Sequence, residues 1–190
     1  MDNITNHKVL VIVAHSDDET LGLGGTIAKH VSKGDQVYVL SMTDGVGSRE
    51  QTNKKEVDIR CESADEASNI LGFKWLKPGK FPDNAMDSIP LLDITKFIEE
   101  AKNQIKPSVI YTHSAADLNI DHRVVSQATL TAFRPQDIDI WQEIRVFEVS
   151  SSTDYGHKSI TNLFDPNLYI NITDFWQKKL TALKAYKSEI

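Results

Sequence analysis

A chain of 190 residues is long enough to bury a full hydrophobic core. With 40% hydrophobic and 25% charged residues it has the composition of a soluble globular protein, and 27 acidic against 21 basic residues (net charge -6) argue against a nucleic-acid partner, which selects a basic face. No apolar run reaches the roughly 18 residues a membrane span needs, the polar start "MDNITNHK" is not a signal peptide, and the single Cys61 cannot form an internal disulfide, so a reducing cytoplasm is the expected compartment.

Apolar runs alternate with amphipathic segments along the chain. Lys8 to Ala14 is a continuous aliphatic run and predicts a strand buried on both faces. Gly22 to Ser32 predicts a helix ended by Gly34. "QVYVLSM" from Gln36 predicts a second strand, followed by the loop "TDGVGSR". Glu50 to Leu71 predicts a helix with Val57, Cys61, Ala64 and Leu71 on its buried stripe, which makes Cys61 a packing residue. A short strand near Phe73 to Leu76 precedes a loop through Pro78, Pro82 and Pro90. A helix over Asp93 to Ile105, a strand over Ser108 to Thr112 and a helix after Asp121 follow. Ile144 to Val149 and Leu168 to Ile172 predict later strands, and the tail from Asp174 predicts a helix packed through Trp176, Leu180 and Leu183. His7, His30 and His157 have no supporting neighbours and are expected at the surface.

Strand–helix alternation implies parallel crossovers: an α/β fold with a Rossmann-like, doubly wound, mostly parallel sheet and helices on both faces, here as a single domain spanning 1–190. Ligands bind such sheets beyond the carboxyl ends of the strands. The expected strand ends carry "HSDDE", "TDGVGSR" and "THSAADLNIDHR", three polar loops on one edge. A dinucleotide is a poor fit there. Gly22 and Gly24 match the first two glycines of the G-x-G-x-x-G fingerprint, but Ile27 stands at the third, and the carboxylates of "HSDDET" would repel a pyrophosphate.

A divalent cation fits better. His15 offers an imidazole and Asp17, Asp18 and Glu19 offer hard oxygens, with His113 and His122 at the same edge. Imidazole plus carboxylate suits zinc or iron, whereas all-oxygen shells suit magnesium. Two histidines and one carboxylate leave a fourth position open, as in catalytic zinc sites, where the pKa of bound water falls from about 15.7 to about 7. A spare carboxylate could take the proton. The competing reading is helix capping, since Asp and Glu favour helix N-termini. It weakens when "DLNIDHRVV" repeats the pattern after a second buried strand.

"AHSDDE" with its glycine-rich helix start, then "TDGVGSR", then "DLNIDHR", with "FEVSSSTDYG" and "DPNLYINITDFWQKKLTALKAYKSE" later, resembles the zinc-dependent deacetylases of the PIG-L/LmbE type. The resemblance implies a Rossmann-like fold, one zinc ion per chain, and hydrolysis of an N-acetyl group on an amino sugar or sugar conjugate, with homo-oligomers among its members. It implies His15, Asp18 and His122 as zinc ligands and Asp17 as the general base that returns its proton to the leaving amine. Asp121 would orient an imidazole through its free ring N–H. Arg49 in "TDGVGSR" matches an arginine-bearing loop of the family and could hold a substrate hydroxyl or phosphate, with a solvated loop arginine as the alternative, and His113 could add a donor from the neighbouring strand end. Arg60 matches an arginine of the family's second helix, and a structural ion pair explains it equally well. Two positions depart from the family pattern: Ser16 replaces a proline, and Asn119 replaces the first histidine of H-x-D-H. Asn119 can still donate a hydrogen bond to an oxyanion but carries no charge, and a helix-capping role is the alternative. The ending "YKSEI" has no helix stop, so a shortened C-terminus is expected.

Two rivals stand beside the amidase. A metal phosphoesterase would use the same acidic edge with a second, harder ion. A non-catalytic relative would bind zinc or sugar without turnover, with Asn119 as its support.

Overall fold

The computed structural model describes residues 6–47, 54–137, 139–156 and 163–187. Five strands form an all-parallel sheet in the order β3-β2-β1-β4-β5: β1 (Lys8–Val13), β2 (Gln36–Ser41), β3 (Lys74–Trp75), β4 (Val109–His113) and β5 (Glu143–Phe147). The helices are α1 (Asp18–Ser32), α2 (Lys54–Leu71), α3 (Leu91–Ile105), α4 (Ile120–Ala132) and α5 (Trp176–Leu183). Strand β1 is central and its alternate side chains feed two cores. Val9, Val11 and Val13 pack with residues of α1, α2 and the α5 region on one face. Leu10 and Ile12 pack with Ile94, Ile98, Val125 and Ala128 of α3 and α4 on the other. Full burial of each such aliphatic side chain contributes about 1.5–3 kcal/mol, which is why a continuous run occupies the centre.

Strand order reverses between β1 and β4, the switch point where a doubly wound sheet opens a crevice at its carboxyl edge. Helix α1 begins four residues ahead of the glycines because the Asp17 carbonyl accepts the amides of Thr20 (2.9 Å) and Leu21 (2.8 Å). Gly22 lies inside the helix, where a Cβ would come within 2.5 Å of the Phe147 ring. The glycines thus serve helix–sheet packing rather than a phosphate.

Four expectations fail. Cys61 is exposed; the buried stripe of α2 runs through Arg60, Ala64, Ala67 and Leu71 because Arg60 is drawn inward. Leu168 to Ile172 pairs with no described strand, although its Ile172 packs over Gly25. The buried face of the tail is Ala182, Ala185 and Tyr186, while Trp176 is exposed, because small residues let α5 approach α1 closely. His7 and His30 are half-buried: His7 Nδ1 lies 2.9 Å from Ser108 Oγ, and His30 Nδ1 lies 2.6 Å from Asp35 Oδ2 with its Nε2 2.9 Å from the Tyr111 hydroxyl. His157 lies outside the described residues. Among the described residues no helix is long and apolar enough to cross a membrane.

Candidate metal centre and active site

The turn after β1 and the start of α4 after β4 bring His15, Asp18 and His122 together at the switch point. His15 Nδ1 lies 3.3 Å from His122 Nε2 and 3.4 Å from Asp18 Oδ2, and His122 Nε2 lies 3.3 Å from Asp18 Oδ2. A tetrahedral ion with bonds of about 2.0–2.1 Å needs ligand atoms about 3.3–3.4 Å apart. The three atoms therefore form one face of such a tetrahedron, with two nitrogens and one oxygen as donors, and these residues fit a divalent metal.

Each imidazole is oriented by a carboxylate on its far nitrogen, the arrangement that fixes a ligand's tautomer. His15 Nε2 lies 3.2 Å from Asp121 Oδ2 and 3.1 Å from Asp83 Oδ1. Asp121 is fully buried and also accepts the amides of Asn84 (2.7 Å) and Met86 (3.0 Å). His122 Nδ1 lies 3.0 Å from Asp117 Oδ2, which further accepts the hydroxyls of Ser152 and Thr153. Sequence reasoning missed Asp117 and Asp83. Asp117 is two residues ahead of Asn119 in "DLNIDHR", and that spacing was its available signal; Asp83 hides in a proline-flanked loop that reads as a turn.

The electrostatics match a cation site. Burial lowers the affinity of His15 for a proton, but Asp121, Asp18 and Asp83 outweigh it and hold the group up to about 12. His122 is opposed by burial and lifted by Asp18 and Asp117 to about 9. Asp18 is held well below the usual carboxylate range by His122 and His113 against the pull of burial. The carboxylates that raise these two histidines favour positive charge in the cluster, as a bound cation would supply.

Asp17 lines the same cleft of ≈ 300 Å³, together with Leu21, Asn84, Asn119 and Ser152. Its Oδ2 accepts Arg60 Nη1 at 3.0 Å, and the same Nη1 donates to the Ser16 carbonyl at 3.0 Å, so Arg60 is tied to the motif loop. Asn119 caps α4: its Oδ1 accepts the amides of Asp121 (2.8 Å) and His122 (3.4 Å), and its Nδ2 donates to Asn84 Oδ1 at 3.0 Å. Glu19 is fully buried and caps from within, accepting the Asp17 amide at 3.0 Å.

His113 does not reach the cleft as a substrate contact. It is fully buried and its Nε2 accepts the Ala14 amide at 2.9 Å, which requires the neutral ring. Burial and neighbouring His122 lower it to about 4, and it stacks on His122 with centroids 3.9 Å apart, so it supports a ligand from behind. Arg49 lies outside the described residues.

A doubly wound parallel sheet with two histidines and a carboxylate at its switch point, beside a polar cleft, defines the class of α/β proteins that carry candidate metal ligands at the carboxyl edge of the sheet. Within that class the match is specific. The PIG-L family, described as GlcNAc-PI de-N-acetylase, covers residues 10–133, and the chain belongs to this family. It is 28% identical over 186 residues to the uncharacterized deacetylase YaiS of Escherichia coli, spanning 95% of this chain and 90% of that protein. It is 27% identical to diacetylchitobiose deacetylase of Thermococcus kodakarensis (96% and 70% covered) and 25% identical to 4-oxalmesaconate hydratase of Pseudomonas putida (96% and 74%). Among solved structures, N,N'-diacetylchitobiose deacetylase from Pyrococcus horikoshii, complexed with an inhibitor, shares the fold with a TM-score of 0.76 at 24% identity (97% and 71% covered).

Proposed function

We propose that this protein is a cytoplasmic, single-domain, zinc-dependent deacetylase that hydrolyses the acetamide of an N-acetylated amino sugar or sugar conjugate. The observation that carries this reading is the triangle of His15 Nδ1, His122 Nε2 and Asp18 Oδ2, with edges of 3.3–3.4 Å, beside a cleft lined by a further carboxylate, Asp17. His15, Asp18 and His122 would hold one zinc ion, which when bound acts as a Lewis acid and lowers the pKa of water to about 7.

The chain's own groups do the rest. Asp17 accepts a proton from the water that attacks the amide carbon and returns it to the departing nitrogen. The Asn119 amide, aimed by its cap bonds, has an N–H beyond the one given to Asn84 for the carbonyl oxygen. Asp121 and Asp117 hold the two imidazoles in their ligating tautomers. Arg49 of the "TDGVGSR" motif would hold a hydroxyl or phosphate of the substrate, a role that rests on the motif alone.

The test is metal counting with a substrate panel. One zinc per chain, free amine released from N-acetylglucosamine or N,N'-diacetylchitobiose, and an Asp17→Asn variant that keeps its metal while turnover falls about 100-fold or more are expected. Parental turnover in that variant would show that Asp17 is not the base. Two hard ions with phosphate-ester cleavage would favour the phosphoesterase, and binding without turnover the non-catalytic relative. The hydratase among the relatives favours one more reading, addition of water to a carbon–carbon double bond, which 4-oxalmesaconate as substrate separates from amide cleavage.

A further inference from the structure

Asp17 sits in a backbone conformation that L side chains rarely adopt, φ 156° and ψ -28°. Such a residue persists only when its surroundings over-determine it. Two buried groups do so. Glu19 Oε2 accepts its amide at 3.0 Å, and Arg60 Nη1 donates to its carboxylate at 3.0 Å. Both groups meet again on one side chain more than 120 positions away from either. The hydroxyl of Tyr186 donates to Glu19 Oε1 at 2.9 Å, and the guanidinium of Arg60 lies 5.6 Å above the centre of the Tyr186 ring. Tyr186 is 1% exposed and lies in the core shared by α1, α2 and the α5 region.

The geometry points to Tyr186 as a positioning residue for Asp17, acting through Glu19 on its backbone and through Arg60 on its carboxylate. This rests on the reading of Asp17 as the base. A hydroxyl hydrogen bond fixes which Glu19 oxygen faces the Asp17 amide, since Oε1 also accepts Thr20 Oγ1 at 2.6 Å. The ring presents its π face to a guanidinium that is 5% exposed, where cation–π attraction is strengthened by desolvation. The segment after α5 thereby completes the active-site turn, although it is remote from the motif in sequence and does not line the cleft.

The experiment compares Tyr186→Phe, which removes only the hydroxyl, with Glu19→Leu, their double variant, and Thr181→Ala as a control that removes a hydroxyl from the exposed face of α5, where it donates to the Gln177 carbonyl. All are assayed below their unfolding temperature on N-acetylglucosamine and N,N'-diacetylchitobiose, with zinc content measured. Exchange of the Asp17 amide is followed by NMR in the absence of substrate. Tyr186→Phe is expected to lower kcat tenfold or more with KM within twofold, to keep one metal, and to speed Asp17 amide exchange at least tenfold. Thr181→Ala should leave kcat within twofold. The double variant should fall no further than Glu19→Leu alone, because both cut one chain of contacts. An unchanged Asp17 amide in Tyr186→Phe overturns the proposal, and so does a faster amide with unchanged kcat. An Asp17→Asn variant with parental turnover removes Asp17 as the base instead, and a parent inactive on both sugars defeats the deacetylase reading on these substrates, while the amide measurement still decides whether Tyr186 holds the turn.

Discussion

Asp117→Asn removes one charge from the group behind His122 while keeping its shape. In the parent, Asp117 Oδ2 faces His122 Nδ1 at 3.0 Å and accepts Thr153 Oγ1 at 2.6 Å and Ser152 Oγ at 3.0 Å, while Oδ1 accepts the Asn119 amide at 2.8 Å. An asparagine has one oxygen for these two sides. Whichever way the amide turns, its NH₂ group confronts a donor, the Asn119 amide or the His122 N–H, and leaving a buried donor unpaired costs about 1–3 kcal/mol. The carboxyl's own titration gives a similar figure. Burial would raise it, but His122 and the Thr153 hydroxyl bring it from 3.8 to about 2, equivalent to about 2–3 kcal/mol at about 1.4 kcal/mol per pH unit. Because the folded value is depressed, this stability is present above pH 4 and is lost as pH falls through 2. Loss of the orienting carboxylate should also weaken zinc binding about 10- to 100-fold. Competition with a chelator reads the affinity, and urea unfolding at pH 7 and pH 3 reads the stability. Zinc affinity within threefold of the parent and a stability difference below about 0.5 kcal/mol would refute the claim that Asp117 orients His122.

Zinc affinity should rise with pH between 6.5 and 9, because binding must displace protons held by His122 (about 9) and His15 (about 12); calorimetry in buffers of different ionisation heat counts them. Both values are raised on folding, so the metal-free protein should have its full histidine contribution below pH 6.5 and lose it as pH climbs through 9, read as a falling thermal midpoint. Gly22→Ala places a Cβ 2.5 Å from the Phe147 ring and 2.7 Å from the Glu148 carbonyl oxygen, so thermal unfolding should report a loss of about 1–3 kcal/mol. His30→Ala removes a partner of buried Asp35 and should cost about 1–3 kcal/mol in urea unfolding while leaving zinc affinity unchanged, since it sits at the opposite end of the sheet.

Much of the arrangement was legible because it is encoded locally. The run from Val9 to Val13 predicts a strand buried on both faces, and polar residues directly after such a strand emerge at its carboxyl edge. That logic put His15, Asp18 and His122 on one edge, although only the coordinates show their nitrogen and oxygen atoms 3.3–3.4 Å apart. Where a side chain's role depended on a remote partner, local pattern misled. Cys61 satisfied the helical period, yet the stripe turned toward Arg60 once the Ser16 carbonyl and Asp17 needed a cation. His113 sat at the right strand end but pointed inward to the Ala14 amide. Leu168 to Ile172 had strand composition and found no strand to pair with among the described residues.

The sequence by itself determined the layering, the strand directions and which residue types meet at the switch point, because hydrophobic period and strand–loop order are short-range properties. Only the tertiary structure decided which carboxylate orients which imidazole and which residues brace Asp17. Those contacts join positions 2 to more than 160 residues apart, and hydrogen bonds form only within a few tenths of an ångström, a precision that packing of the whole chain sets.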